Sequence, residues 1–452
     1  MSAPDAAVTV IISDLHLGGG AADPGDDHVY QGKPLERLLA ELGAWDEGKK
    51  GQIELLINGD LFELAQVRPD LYKGGDFSTW SSEAESVARL KVILDGHAGI
   101  FAAMKRFQAA GNRVSMAAGN HDVDLYWPEV QKCMREVAGP VQFELGRTWY
   151  TRYGGRLHIA HGHMDDPANS FEDWANPIRS PEHAERRLEM CPGTVFMLRL
   201  VNVLEKDYPF VDNIKPVTAL ARLLWRENKK GLAAVAWLLT KFMALHPDAA
   251  LSAKAADPNA FYKDFKRLVE VSDNARQSLR QAAQKAYRKP QSDDDVARLL
   301  ATEKAFLDFL MDLLRAAGLE GLSQLEPRGP GTLSAHGGGG TLKIAQAGRL
   351  DEKENLARVA KQRCLAERSC QVVVMGHTHQ PDSREFDGRR YYNPGSWTRY
   401  VDVSKQDALT LDMLKDESRF PYQLNYIRVQ PAAHGRLASE KKTFAEDRGK
   451  PL

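Results

Sequence analysis

The chain has 452 residues, 43% of them hydrophobic, and a formal net charge of -1. This length predicts two domains, or one large domain that carries a sizeable insertion. The near-zero net charge excludes a general electrostatic attraction to nucleic acid or anionic lipid, and the longest apolar run, residues 232–239, is shorter than the roughly 20 residues of a membrane-spanning helix.

Five apolar runs predict buried strands, and each ends in Gly, Asp, Asn or His. In chain order they are residues 8–13, 53–58, 113–118, 156–160 and 371–375. Helical segments at 34–45 and about 83–110 separate the first three. Alternating strands and helices predict an α/β fold with a largely parallel sheet. Since the carboxyl ends of such strands form the ligand crevice, five chain segments would bring their polar residues to one place.

The motifs that follow these runs are Asp14-Leu15-His16, Gly59-Asp60, Gly119-Asn120-His121-Asp122, His161-Gly162-His163 and Gly376-His377-Thr378-His379. Taken singly, each could be an ordinary turn or an exposed strand end. Their joint occurrence favours one site with seven oxygen and nitrogen donors: Asp14, His16, Asp60, Asn120, His161, His377 and His379. This set is too large for one tetrahedral zinc ion and poorly matched to calcium. It suits two transition-metal ions, which a carboxylate such as that of Asp60 can bridge.

In order and composition, these motifs resemble those of the calcineurin-like metallophosphoesterase superfamily, over about residues 8–164 and 346–400. The resemblance implies a two-sheet sandwich flanked by helices. It also implies two ligand sets that share the bridging Asp60: Asp14, His16 and His379 for one ion, and Asn120, His161 and His377 for the other.

The resemblance further implies a hydrolase that cleaves a phosphodiester or pyrophosphate bond by attack of a metal-bound hydroxide. Manganese is the first candidate metal, and Fe, Zn, Co and Ni accept the same ligands. His121 would face the scissile phosphate without binding metal, as an acid or charge stabiliser, with Asp122 orienting its ring. A purely structural role is the alternative for His121.

Three other features have less specific interpretations. Either histidine of the HGH motif could be the ligand, and the family pattern favours His161 over His163. His158 is expected to point to the opposite face of its strand, as a structural residue. The segment 393–396, Asn-Pro-Gly-Ser, resembles a turn that many superfamily members place near the site, and an ordinary structural turn is the alternative.

The motif-bearing core is predicted over residues 1–164 and 346–430, and it is interrupted by a helical insertion, 165–345, that ends in a Gly-rich linker. Internal packing of a helical bundle is the favoured interpretation of its most apolar part, residues 216–245. The alternative is a lid that accepts acyl chains or contacts a membrane surface. In the second core part we expect a helix at about 351–368 and strands at 408–414 and 423–429. Residues 431–452 are predicted to be disordered.

The sequence indicates the substrate class less specifically than it indicates the reaction. SDLHL, NGDLFEL and GHTHQP resemble the bacterial branch that contains UDP-2,3-diacylglucosamine pyrophosphate hydrolases. That branch usually carries arginine where this chain has His121, and its insertion is shorter, so the partner could be a small-molecule or a lipid-linked phosphoester. A nuclease is a further alternative, without a clear basic-aromatic strip in its favour. The alternative of a different class is a non-catalytic, metal-stabilised scaffold that binds a partner through the insertion.

The cysteines bear on the compartment. The four of them, Cys133, Cys191, Cys364 and Cys370, have no CxxC spacing, and the chain opens without a basic-apolar signal segment. We therefore expect a cytoplasmic protein, with peripheral contact to the inner membrane through residues 216–245 as the alternative. The sequence does not indicate an oligomeric state.

Overall fold

The structure is a computed structural model, and it describes residues 5–22, 33–67, 80–166, 169–179, 186–189, 191, 194, 214–215, 280, 284, 292, 352–399, 401–402, 410, 412–416, 420, 422 and 424–444. The chain divides into two units. The first contains Met1–Asn213, Asp351–Val401 and Asp416–Leu452, and the second contains Ile214–Leu350 and Asp402–Lys415. Every residue of the predicted metal site lies in the first unit.

The described α-helices are α1 (Pro34–Ala44), α2 (Asp46–Lys49), α3 (Glu83–Gly96), α4 (Ala98–Ala109), α5 (Pro128–Ala138) and α6 (Glu352–Ala366). The strands are β1 (Val8–Ile12), β2 (Ile53–Asn58), β3 (Trp80–Ser81), β4 (Arg113–Ala117), β5 (Gln142–Glu144), β6 (Tyr150–Arg152), β7 (Leu157–Ala160), β8 (Ile178–Arg179), β9 (Arg187–Glu189), β10 (Ile214–Lys215), β11 (Val372–Met375), β12 (Asp382–Phe386), β13 (Arg389–Asn393), β14 (Val401–Asp402), β15 (Asn425–Pro431) and β16 (Leu437–Thr443).

Two sheets form the centre of the first unit. The first has the order β16-β15-β1-β2-β4-β5, in which β1, β2, β4 and β5 are parallel and β15 and β16 are antiparallel additions. The second has the order β12-β13-β11-β7-β6, with β11 parallel to both β7 and β13. The five predicted strands therefore divide between two sheets, three in the first and two, as neighbours, in the second.

Side chains alternate between two apolar layers along β1. Ile11 belongs to a cluster shared with Leu56 of β2 and with Ile159 and Val374 of the second sheet, so this layer lies between the sheets. The residues on either side of Ile11 pack instead with helices α1, α3, α4 and α5. Helix α6 covers the outer face of the second sheet. The order is helix, sheet, sheet, helix, which confirms the predicted α/β sandwich flanked by helices.

Local sequence explains the helices that cover the first sheet. Helix α1 starts with a proline in its first turn and buries leucines at helical spacing, Leu35, Leu38, Leu39 and Leu42. Helix α3 begins with a capping box, in which Ser82 accepts from the Glu85 backbone N–H and Glu85 accepts from that of Ser82. These signals fix the start of each helix and the face that it turns to the sheet.

The structure differs from the sequence predictions in several places. The segment at 83–110 forms two helices, because the backbone at His97 is not helical. Asp412–Lys415 is a 3-10 helix, so the strand predicted over 408–414 does not extend through those residues. The disordered tail predicted over 431–452 is wrong for Leu437–Thr443, which pairs with β15 along its whole length. Pairing with an apolar neighbouring strand outweighs the polar local composition there.

The predicted helical insertion, residues 165–345, lies mainly outside the described residues, as do its segment 216–245 and the Gly-rich linker. At its start the structure describes two short strands, β8 and β9, which form a small sheet with β3. The helical character of the rest stays a prediction.

Candidate metal centre

The predicted ligands lie at the carboxyl ends of strands from both sheets, and hydrogen bonds join these ends. The Gly376 N–H donates to the His161 carbonyl at 2.8 Å, which links β11 to β7. The His377 N–H lies 3.1 Å from both carboxylate oxygens of Asp14, and the Asn58 side chain donates to the Ala160 carbonyl at 2.8 Å. The last two bonds cross from one sheet to the other, so the strand ends form one polar edge.

The first group of predicted ligands is Asp14, His16 and His379, whose candidate ligand atoms lie within 4.8 Å of one another. Nε2 of His379 is 3.0 Å from Nε2 of His16 and 3.4 Å from a carboxylate oxygen of Asp14. Two ligand atoms at about 2.1 Å from one ion and at right angles to each other are about 3.0 Å apart. These spacings fit a single ion.

The second group contains Asp60, His161 and His377, again with candidate ligand atoms within 4.8 Å of one another. Oδ2 of Asp60 lies 3.0 Å from Nε2 of His161 and 3.9 Å from Nε2 of His16 in the first group. One carboxylate oxygen thus lies between imidazoles of the two groups, as a bridging ligand requires.

Hydrogen bonds fix which ring nitrogen of two histidines is available to a metal. Nδ1 of His161 lies 2.7 Å from the Asn58 carbonyl, and Nδ1 of His16 lies 2.8 Å from a carboxylate oxygen of Glu63. Because these oxygens accept, both Nδ1 atoms carry a proton, and Nε2 of each ring is the nitrogen that faces the other predicted ligands. A hydrogen bond from the ring nitrogen that does not bind the metal, here called an outer contact, is typical of metal-binding histidines.

Asn120 supplies an independent test of the fit to metal. Its Nδ2 donates to Oδ1 of Asn169 at 3.3 Å, whereas its own Oδ1 is buried and has no hydrogen-bond partner among the described residues. A buried amide oxygen without a partner costs about 1–3 kcal/mol. A cation at this position would remove that cost, so the residues present fit the predicted ions.

The backbone of the site is strained. Five of the seven predicted ligands adopt a left-handed backbone with φ between 50° and 70°: Asp14, His16, Asp60, His377 and His379. Residues other than glycine seldom adopt this conformation, and it clusters at functional sites. The alternating pattern in Asp-Leu-His and His-Thr-His therefore also reflects an unusual local chain path.

Two glycines let the chain pass close to the ligands. A Cβ on Gly119 would overlap a carboxylate oxygen of Asp60 and lie 2.7 Å from Nε2 of His161. A Cβ on Gly376 would overlap the Ser13 hydroxyl and lie 2.8 Å from a carboxylate oxygen of Asp14. Neither position has room for a side chain, which accounts for the glycine in both motifs.

His121 lies beside the first group and contacts Glu63, a residue that the sequence analysis did not single out. Nδ1 of His121 is 2.6 and 2.8 Å from the two oxygens of Glu63, and the His121 side chain is 11% exposed. Burial by itself would lower the pKa of His121, but the Glu63 carboxylate, with help from Asp60, raises it to about 9. The ring is thus protonated at neutral pH in the metal-free protein, with Nε2 as its second donor.

Asp122 has a different role from the predicted one. Its two carboxylate oxygens accept from the backbone N–H groups of Gly119 and Leu61, and among the described residues it makes no hydrogen bond to the His121 ring. Burial and the charge of Asp60 raise the pKa of Asp122 to about 7. Asp122 therefore joins two ligand loops, and Glu63 orients His121.

The two other histidines near the site have different surroundings. His163 is buried, packs edge-on against Trp174 at 4.3 Å between ring centroids, and has no hydrogen-bond partner on either nitrogen among the described residues. Burial and the nearby His161 and His377 hold its pKa well below the usual value. His158 contacts the Gly155 carbonyl and the Arg363 guanidinium, away from the predicted ligands.

The Asn-Pro-Gly-Ser segment supports two ligand loops. The Asn393 side chain donates to the Gly376 carbonyl at 2.8 Å, and the Ser396 hydroxyl donates to the Asp14 carbonyl at 3.0 Å. The Trp397 N–H donates to the same Asp14 carbonyl at 3.0 Å. This turn lies near the site and holds the backbone of both loops.

Comparison with known proteins gave one family match. Residues 329–416 match the family model of the calcineurin-like phosphoesterase superfamily domain. The match includes His377 and His379, and the other four motifs lie outside it. No curated protein matched the chain. Among the described residues, no helix has the length and apolar character needed to cross a membrane.

Proposed function

We propose that this protein is a dinuclear metal-dependent phosphoesterase that hydrolyses a phosphodiester or pyrophosphate bond. The observation that carries the proposal is the position of Oδ2 of Asp60, 3.0 Å from Nε2 of His161 and 3.9 Å from Nε2 of His16. A carboxylate between two imidazole-containing ligand groups supports two adjacent ions. The family match supports hydrolysis of a phosphoester as the reaction class.

Divalent ions held by these residues would polarise phosphoryl oxygens and supply hydroxide near neutral pH by lowering the pKa of bound water. His121 lies beside the first group, with its ring centroid 4.6 Å from that of His16. Because the raised pKa of His121, about 9, leaves both ring nitrogens protonated at neutral pH and Glu63 accepts from Nδ1, the Nε2 proton of His121 can be donated to a phosphoryl or leaving-group oxygen. Glu63 thereby sets the orientation of one predicted ligand and of the predicted acid.

The substrate proposal extends to lipid-linked pyrophosphates. The motifs that resemble UDP-2,3-diacylglucosamine pyrophosphate hydrolases support it, as does the apolar segment 216–245, which the sequence places between two metal-binding motifs. In this proposal the segment covers an acyl chain or contacts the membrane surface. Manganese stays the first candidate for both ions, and the cytoplasm stays the expected compartment.

The test combines metal content with activity. Purified protein loaded with Mn²⁺ should contain two metal equivalents per chain and hydrolyse bis(4-nitrophenyl) phosphate. Asp60→Ala should lose both ions and the activity. Asp46→Ala, which removes an exposed carboxylate on α2, is the matched control and should change neither. An Asp60→Ala protein with two metal equivalents and full turnover would refute the proposal.

A further inference from the structure

Asp166 and Asn169 connect two predicted ligands of the second ion. Oδ2 of Asp166 lies 3.1 Å from Nε2 of His377, and it also accepts from Nδ2 of Asn169 at 2.6 Å. Oδ1 of Asn169 in turn accepts from Nδ2 of Asn120 at 3.3 Å. A continuous chain of hydrogen bonds therefore runs from His377 to Asn120.

The carboxylate at one end determines the direction of every bond in this chain. A carboxylate only accepts, so Asn169 must present its NH₂ group to Asp166 and its oxygen to Asn120. Asn120 must then present its own NH₂ group to Asn169. Its oxygen is left as the buried atom without a partner, in the orientation that a metal ligand requires.

The same carboxylate selects the ring nitrogen of His377. Because Asp166 accepts at Nε2, that nitrogen carries the proton and Nδ1 keeps the lone pair. His377 would thus bind through Nδ1, whereas His161 would bind through Nε2, because its Nδ1 donates to the Asn58 carbonyl. Both imidazoles have one nitrogen fixed by an oxygen acceptor.

The neighbouring structure holds Asp166 and Asn169 in place. The Asp166 N–H donates to the His163 carbonyl at 3.0 Å, and the Asn169 N–H donates to the Asp166 carbonyl at 3.0 Å. The Asn355 side chain, from α6, donates to the Asp165 carbonyl at 3.0 Å. Asp166 and Asn169 are therefore tied to each other through the backbone, and Asp165 beside them is tied to α6.

We infer that Asp166 and Asn169 are positioning residues that preset Asn120 and His377 for the second metal ion. This inference rests on the proposed function, because it assigns these residues to one of the two proposed ions. Neither residue belongs to the five motifs. Loss of the pair should lower the affinity for the second ion selectively, since its hydrogen bonds run to His377 and Asn120, both predicted ligands of that ion.

The test titrates metal-free protein with Mn²⁺ and follows stoichiometry by equilibrium dialysis and electron paramagnetic resonance. Wild type should bind two ions and give the signal of a spin-coupled pair. Asp166→Ala should keep the first ion and bind the second about 10–100-fold more weakly, the usual effect of removing an outer contact of a metal ligand. At matched Mn²⁺ concentration it should show a single-ion signal.

Two further variants separate positioning from a general loss of structure. Asp166→Asn keeps an oxygen that can accept from His377 and Asn169, so it should bind the second ion more tightly than Asp166→Ala. Asn169→Asp keeps the acceptor for Asn120 but places a second carboxylate against Asp166. It should therefore lower the affinity for the second ion. The matched control Asp173→Ala, which removes a carboxylate that accepts from the Asn176 N–H, should bind as wild type does.

The outcomes distinguish this inference from the proposed function. Wild-type protein that binds fewer than two ions would refute the dinuclear proposal itself. Wild-type protein with two ions, together with an Asp166→Ala protein that has unchanged affinity for both or loses both equally, would overturn only the positioning role. Circular dichroism of each variant shows whether it is folded, and if Asp166→Ala is not, the other two variants decide.

Discussion

Nε2 of His16 lies 3.0 Å from Nε2 of His379, although the two residues are 363 positions apart in the chain. Since Glu63 accepts the Nδ1 proton of His16, the facing Nε2 atom is a lone-pair donor. Two imidazole nitrogens at this separation fit the predicted ligand pair of one ion. The carboxyl ends of strands from two different sheets bring them together.

His379→Ala should release the first ion, because it removes one of the paired nitrogens. We expect its affinity to fall by at least about 10-fold, since loss of a direct ligand should cost no less than loss of an outer contact. Mn²⁺ titration measures this change. The control is His434→Asn, which changes an exposed histidine with a similar left-handed backbone, φ 57°. Equal affinities in His379→Ala and wild type would remove His379 from the ligand set.

His121→Ala should retain both ions and lower kcat by about 100-fold or more, the usual effect of removing a positioned acid. The loss should be larger for a substrate with a poor leaving group, because such a group needs the proton more. Turnover of an alkyl and a 4-nitrophenyl phosphodiester makes the comparison. Equal losses for the two substrates would argue against proton donation by His121.

Gly119→Ala should abolish metal binding while leaving the sheets intact. The added methyl group would overlap the Asp60 carboxylate and press on His161, and both must move to admit it. Metal content and circular dichroism together test this expectation. Gly43→Ala in α1 is the control, since a Cβ at this position would meet nothing within 4 Å. This substitution should stabilise the helix by up to about 1 kcal/mol. Normal metal content in Gly119→Ala would contradict the described geometry.

Arg152→Met should destabilise the sandwich by about 3–5 kcal/mol, because it leaves the buried Glu54 carboxylate without its cation. Burial tends to raise the pKa of Glu54, but Arg152 holds it below the usual value. In wild type this carboxylate therefore contributes stability above its unfolded pKa, near 4.5, and the contribution is lost as pH falls through the lower folded pKa.

Without Arg152, burial dominates and the folded pKa of Glu54 rises, so this residue's contribution should fall as pH rises above about 4.5. Urea unfolding at several pH values measures both slopes. Glu144→Gln, which removes the more exposed partner of Arg152, should cost less than about 1 kcal/mol. Parallel pH profiles for wild type and Arg152→Met would contradict the assigned role of the pair.

An acylated pyrophosphate should be a better substrate than its deacylated analogue if residues 216–245 cover the acyl chain. Each buried methylene contributes about 0.8 kcal/mol, or about fourfold in kcat/KM. The full-length enzyme should be assayed with acyl chains of increasing length on one headgroup. A flat dependence on chain length would eliminate the lid and favour a small soluble phosphodiester.

The position of each motif at a strand end could be predicted from the residues just before it. Each follows an apolar run whose own composition marks a strand, as in residues 8–13 before Asp14 and 371–375 before His377. The parallel arrangement then places such ends on one edge. By contrast, the division of the five strands between two sheets depends on long-range pairing, which the apolar pattern alone does not specify.

The outer contacts could not be predicted in the same way. Glu63 lies 47 positions from His16 and 58 from His121, and Asp166 lies 211 positions from His377. Their roles depend on which ring nitrogen they contact, and spacing along the chain carries no information about that. The only local signal for Glu63 is its place three residues after Asp60.

In the C-terminal segment, the sequence predicted disorder where the structure has a strand. Residues 437–443 contain one leucine among mostly polar residues, so composition indicates disorder. Yet the strand pairs with β15, the Ser439 carbonyl accepts from the Tyr392 hydroxyl at 3.0 Å, and Ser439 is buried. The ordering contacts are a hairpin with β15, which the polar composition of 437–443 does not indicate, and a bond from Tyr392, 47 positions away in the chain.

The left-handed backbone at five predicted ligands has a consequence for how the chain can evolve. Each such residue costs about 1–2 kcal/mol relative to glycine at the same position, a sizeable sum beside the 5–15 kcal/mol of a typical domain. Glycine at Asp14, His16, Asp60, His377 or His379 would relieve this strain, but at Asp14 and Asp60 it would also remove side-chain oxygens that accept backbone N–H groups. The proposed chemistry, rather than local backbone preference, therefore accounts for the side chains at these five positions.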